Sequence, residues 1–171
     1  DNNPRLAQAD ELDERLEPAP TTRKVAVVGA GIAGLQAAVT AAMRGHQVMV
    51  WGSSDEVGGK TRLMAQLPLG ESMSSIYDHQ WITAQRLGVG FQLGRMATAG
   101  DVLAWQPDTV VLATGARMTW PQDLPLSLQT MGVVPDLREA MAELLTHRGP
   151  LQGTAVIYDL DQTEGTYAAA E

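Results

Sequence analysis

The sequence predicts an α/β chain built on a doubly wound, mostly parallel sheet, and three observations carry that prediction. Apolar runs of strand length recur at 24–30, 46–52 and 108–116, nearly continuous rather than alternating. Strands buried on both faces of a parallel sheet have that composition. Ala-rich or amphipathic stretches of helix length separate them. The first run also passes directly into GAGIAG, a glycine-punctuated turn that opens a helix. Strand, turn, helix and strand together take about thirty residues, the size of one crossover unit. Strands alternating with helices place helices over a parallel sheet.

The elements follow in order. Residues 1–23 read as an extended polar arm with no hydrophobic period, closed by the Pro-punctuated EPAPTT. KVAVVGA is the first strand. A helix is predicted from about Ile32 to Arg44, with Gly45 as its stop. HQVMVWG is the second strand, and SSDEVGGKTRLMAQLPLGES reads as a loop. A helix is expected near Met73–Leu87, where apolar residues recur every three to four positions, and Gly88 ends it. VGFQLG is a short strand, TAGDVLAWQP holds a short helix, and DTVVLATGA reads as another buried strand ending in a tight turn. A Pro-rich connection, TWPQDLPLSLQTMGVVP, leads to the helix DLREAMAELLTHRG, capped by Asp136 and stopped by Gly149. TAVIYDL is predicted as a strand, and TYAAAE opens a further helix without a cap, which reads as a chain cut short.

Composition narrows the function. The 171 residues are 44% apolar and 19% charged, as in an ordinary globular domain. A net charge of −8, with 12 scattered basic residues, argues against nucleic acid as a partner. No apolar run is long enough to span a bilayer, and the polar start is unlike a secretory leader. The absence of cysteine removes disulfides and thiolate metal or cluster sites from this chain, and the composition fits a cytoplasmic setting. His46, His79 and His147 are too scattered for a metal site, no G-x-S-x-G elbow is present, and no catalytic residue is assigned.

Gly29, Gly31 and Gly34 form G-x-G-x-x-G between a predicted strand and a predicted helix. The first glycine permits the tight turn, the second lets backbone approach a pyrophosphate, and the third lets helix and strand pack closely. The N–H groups of the first turn, at Ile32, Ala33 and Gly34, and the helix dipole then favour an anion. In this context the motif marks a dinucleotide turn; the alternative is an Ala/Gly-rich helix start with no ligand. Gly58 and Gly59, with Lys60 after them, follow the second strand where a glycine pair permits close approach. Ala113, Thr114 and Gly115 end another strand at the same expected sheet edge, where open α/β sheets bind ligands. Trp51 is a candidate stacking surface for an adenine, although core packing is the commoner role.

GAGIAG, then EVGGK, LPLG and DVLAWQPDTVVLATGA, resemble the flavin-type two-dinucleotide-binding oxidoreductases. The likeness is closest to the carboxy-terminal part of the trimethylamine dehydrogenase, histamine dehydrogenase and 2,4-dienoyl-CoA reductase family, and NNPR is similar to the segment after that family's last cluster-ligating cysteine. The resemblance covers nearly the whole chain. It implies FAD or ADP bound here. It implies FMN and a 4Fe–4S cluster on an amino-terminal flavin barrel, as a missing portion or a separate subunit. It further implies an electron-transfer protein as acceptor and a homo- or hetero-oligomer. The division it implies is an arm at 1–23, an FAD/ADP-binding Rossmann-like domain at 24–135, and the start of a second dinucleotide-type domain at 136–171, cut short.

Two departures stand out. The family's second strand ends in Asp or Glu, which bonds ribose hydroxyls. Here that place is Gly52, 52 − 29 = 23 positions after the first glycine. Loss of the carboxylate forfeits roughly 1.5–3 kcal/mol of charge-assisted hydrogen bonding. Ser53 and Ser54 are weak substitutes, and the nearest basic residues in sequence are Lys60 and Arg62. On this view a carboxylate restored at position 52 tightens ADP or FAD. Secondly, the strand after the HRG helix leads to Asp159, Asp161 and Glu164 rather than to a second glycine fingerprint, which disfavours NADPH. The expected function is therefore the dinucleotide-holding part of an oxidoreductase that oxidises a small methylated or primary amine. An NADPH-dependent dienoyl-CoA-type ene-reductase and a ligand-free docking domain are the alternatives.

Overall fold

A computed structural model describes residues 16–68, 70–117, 119–146 and 153–160. Strand β1 (Lys24–Val28) leads through the glycine turn into helix α1 (Ile32–Met43) and back to β2 (Gln47–Trp51). Then come α2 (Lys60–Met64), a 3-10 turn at Glu71–Met73, α3 (Ser74–Arg86) and β3 (Gly90–Gln92). Helix α4 (Ala99–Ala104), β4 (Thr109–Leu112), α5 (Leu126–Thr130) and α6 (Leu137–Leu144) complete the order. The four strands form one all-parallel sheet in the order β3-β2-β1-β4. This is the Rossmann-like α/β architecture that the apolar runs predict.

Side-chain alternation along β1 and β2 divides the core in two. Val25, Val27, Val48 and Val50 face α1 and α3, packing on Leu35, Ala38, Val39, Tyr77 and Ala84. Ala26 and Trp51 face the other side and pack on Val102 of α4. The sheet is therefore covered on both faces at its centre. The end of the predicted arm lies against the end of α1, where the Ala19 N–H donates to the Arg44 carbonyl at 2.9 Å and Arg44 Nε donates to the Glu17 carbonyl at 3.3 Å. Among the described residues no helix is long and apolar enough to cross a membrane.

Four local expectations need correction. The loop after β2 contains α2, because KTRLM, a run of mostly good helix formers, follows the turn at Gly59. The Pro-rich connection contains α5, with Pro125 at its N-cap, where the fixed φ is compatible with a helix start. β4 is not buried: it is an edge strand, with Val110 42% and Leu112 76% exposed. TAVIYDL forms no strand: residues 154–160 run without a ladder partner and mostly exposed. In both cases apolar composition signals strand character but not which neighbour covers it. The predicted helix stop at Gly149, the further helix at TYAAAE and residues 1–15 of the arm lie outside the described residues.

Candidate dinucleotide site

Three segments meet at the carboxyl ends of β1, β2 and β4. Gly29 leaves β1 with φ of +116°, its N–H donating to the Trp51 carbonyl at 2.7 Å. Beside it the Ala113 N–H donates to the Val28 carbonyl at 2.8 Å. A Cβ on Gly29 would lie 2.1 Å from the Ala113 carbonyl oxygen, and one on Gly34 would lie 1.8 Å from the Gly29 carbonyl oxygen. Both glycines therefore serve close backbone packing, between β1 and β4 and between turn and helix.

Gly31 differs. It is the N-cap of α1 with an ordinary φ of −79°, and a Cβ there would come no nearer than 4.0 Å to any neighbour, the Gly59 Cα. No side chain caps this helix start and no acidic residue stands in its first turn, at Ile32, Ala33 and Gly34. The first N–H groups of α1 have no partner within the helix, and with the helix dipole they offer an anion site.

The second glycine pair is joined to the first turn. The Gly58 N–H donates to the Ala30 carbonyl at 2.9 Å, and Gly31 and Gly58 form an isolated parallel bridge. A Cβ on Gly59 would sit 3.2 Å from the Gly31 Cα, and one on Gly58 would sit 3.0 Å from the buried Tyr77 ring. Lys60, exposed, starts α2 beside this contact. On the other flank Ala113, Thr114 and Gly115 turn away from β4, with Thr114 and Gly115 exposed. Gly29, Gly31, Gly34, Gly58, Gly59 and the Ala113–Gly115 turn thus converge on one edge.

Gly52 lies at the same edge but is buried, with its N–H donating to the Gln92 carbonyl at 2.9 Å. A Cβ at position 52 would stand 2.8 Å from Leu93 Cδ2 and 2.9 Å from Ala30 Cβ. The expectation that a restored carboxylate tightens binding meets a steric obstacle: a side chain at position 52 requires Leu93 and Ala30 to move. Ser53 and Ser54 are exposed, and the Ser54 hydroxyl accepts from the Glu56 N–H at 3.3 Å. Arg62 pairs with Glu56 at 2.5 Å and lies over the Tyr77 ring, 5.8 Å from its centroid.

One basic residue whose backbone lies at the end of β2 is missed by the sequence reading. The Arg95 N–H donates to the Gly52 carbonyl at 3.4 Å. The two are 95 − 52 = 43 positions apart, joined only by the pairing of β2 with β3, so no local signal marks them. The Arg95 guanidinium pairs with Asp101. Asp101 also closes a capping box with Thr98 at the start of α4. The Thr98 hydroxyl, then the Thr98 N–H, then Arg95 hold the Asp101 carboxyl below the usual carboxylate range.

Trp51 is a correction. Its ring is 3% exposed and meets Trp105 edge-on, with centroids 5.8 Å apart and planes at 73°. A ring enclosed in this way presents no face to an adenine. His46 Nδ1 accepts from the Arg23 N–H at 3.2 Å. Among the described residues no three His, Cys, Asp or Glu side chains are grouped as a metal site, and His147, Asp161 and Glu164 fall outside them.

Comparison with known proteins agrees with this geometry. Residues 27–67 match the family model of the NAD(P)-binding Rossmann-like domain. A probable N-methylproline demethylase of Rhizobium meliloti (strain 1021) is 45% identical over 93 residues, 54% of this chain and 14% of that protein. The structure of a 2-naphthoyl-CoA reductase in complex with 2-naphthoyl-CoA superposes with a TM-score of 0.65 at 31% identity, over 78% of this chain and 21% of that one. Histamine dehydrogenase from Rhizobium sp. 4-9 does so with a TM-score of 0.57 at 30% identity, over 64% and 16% respectively. The chain spans less than a quarter of the length of each.

In fold, then, the chain is Rossmann-like, and its residues 27–67 are similar to NAD(P)-binding domains of that type. The group it matches within larger oxidoreductases, histamine dehydrogenase among them, is the one its glycine motifs resemble.

Proposed function

We propose that this chain holds the adenosine pyrophosphate of FAD, or ADP itself, at the carboxyl edge of β1, β2 and β4. It does so as part of a larger oxidoreductase that oxidises a small methylated or primary amine and passes electrons to a carrier protein. The observation that carries this reading is the uncapped start of α1, where even a Cβ on Gly31 would meet nothing nearer than 4.0 Å. The fit is to a pyrophosphate, which backbone N–H groups and a helix dipole recognise without charged side chains. Similarity to a demethylase and to histamine dehydrogenase supports an amine as substrate.

In this proposal residues 24–135 are the nucleotide domain, 136–171 begin a second dinucleotide-type unit, and 1–23 link to a flavin barrel. FMN and a 4Fe–4S cluster sit on that barrel portion or subunit, since this chain has no cysteine to hold a cluster. The assembly is oligomeric and cytoplasmic. If the bound nucleotide is FAD, its isoalloxazine supplies a further redox group; if ADP, the nucleotide is architectural.

Similarity to 2-naphthoyl-CoA reductase favours a second reading, a nicotinamide-fed reductase. NADPH oxidation by the complete protein in the presence of an enoyl- or aryl-CoA would support it. Mass spectrometry of nucleotide released by acid from purified protein tests the primary reading. FAD or ADP near one per chain is expected, and an empty protein that also fails to bind either when supplied would leave the fold as a docking domain.

A further inference from the structure

The ribose end of this edge carries a cation where the fold ordinarily carries a carboxylate. Three backbone contacts fold residues 92–95 against 52–54: Gly52 N–H to the Gln92 carbonyl at 2.9 Å, Gly94 N–H to the Ser54 carbonyl at 2.9 Å, and Arg95 N–H to the Gly52 carbonyl at 3.4 Å. They bring Arg95 to the carboxyl edge beside the end of β2. Its side chain is 70% exposed, and its Nη2 bonds Asp101. A guanidinium has five N–H donors in a planar fork, so donors remain for a second anion.

Resting on the reading that the glycine turn holds an adenosine pyrophosphate, we propose that Arg95 opens this site to a 2′-phosphorylated adenosine, in addition to the plain ribose of ADP or FAD. A carboxylate at the end of the second strand bonds a 2′-hydroxyl and repels a 2′-phosphate, whereas a nearby arginine accommodates that phosphate. Gly52 removes the repulsion, and the Leu93 and Ala30 contacts keep a side chain out of its place. Arg95 supplies the charge-assisted partner. Two carboxylates lie beside it, Asp101 and Asp55, and Glu56 follows Asp55 in the chain. Asp101 shares the fork, Asp55 lies against Gly94, and Glu56 is paired with Arg62 at 2.5 Å. The exposed Ser53 offers a neutral hydroxyl on the same loop.

The test is titration calorimetry on the full chain, freed of nucleotide, with 5′-ADP and with 2′,5′-ADP at fixed ionic strength. The wild type binds 2′,5′-ADP at least as tightly as 5′-ADP. Arg95→Leu weakens 2′,5′-ADP by roughly tenfold or more while 5′-ADP stays within about twofold. Arg95→Lys, which keeps the charge and loses the fork, falls between, and its melting temperature checks that the loop is intact. Wild-type rejection of 2′,5′-ADP with 5′-ADP still bound overturns the role of Arg95 and leaves the glycine-turn reading standing. So does an Arg95→Leu variant that binds 2′,5′-ADP unchanged. Failure of the wild type to bind either nucleotide overturns both.

Discussion

Gly29 and Gly34 are set against backbone carbonyl oxygens at distances no methyl group can occupy. Gly34→Ala should therefore destabilise the fold by about 1–3 kcal/mol, the usual cost of overpacking, read as a lower melting temperature. Gly52 is a related case on the ribose side. Gly52→Asp has to displace Ala30 Cβ and Leu93 Cδ2, so a comparable loss is expected, with weaker rather than tighter ADP binding by calorimetry. Tighter binding at unchanged melting temperature would show that the turn relaxes freely around a new side chain. Trp51 belongs at this scale as well. Its place at the end of β2 is legible in sequence, but the sheet face on which it points follows from the alternation of β2 and is settled by Trp105 and Val102.

Among the elements, burial separates those that hold the fold from those that decorate it. Leu35 of α1 is fully enclosed, and Leu35→Ala should cost about 2–5 kcal/mol in denaturant unfolding. Leu112→Ser, on the exposed edge of β4, should change stability by no more than about 0.5 kcal/mol. The start of α4 makes a pH-dependent prediction. Asp101 has its carboxyl held below the ordinary range by Thr98. Its contribution is therefore complete above the unfolded value of about 3.9 and is lost as pH falls through the lower folded value. Thr98→Ala should cost about 1 kcal/mol near neutral pH and should flatten the acid limb of the α4 amide-exchange profile.

The central unit from β1 to β2 was legible because its signals are local: a continuous apolar run, glycines at fixed offsets, and a helix stop. The exposure of β4 and the lack of a strand ladder at 154–160 were not, because pairing and cover depend on neighbours distant in sequence. Arg95 was invisible for the same reason, since only the β2–β3 pairing brings it to Gly52.

In the molecule as a whole, one sheet edge collects residues from three separate stretches, and α1 starts there. In the proposed site, folding and ligand binding fall to different glycines of one edge. Gly29, Gly34 and Gly59 pack against neighbouring backbone, while Gly31 has nothing nearer than 4.0 Å to a built Cβ. The measurement that tests this most directly is ADP binding and thermal melting of Gly31→Ala beside the wild type. The wild type should bind ADP. The variant, whose new Cβ meets nothing closer than 4.0 Å, should melt within a degree or two of it and bind at least about tenfold more weakly. Equal ADP affinity in the two proteins, at equal stability, would contradict the account.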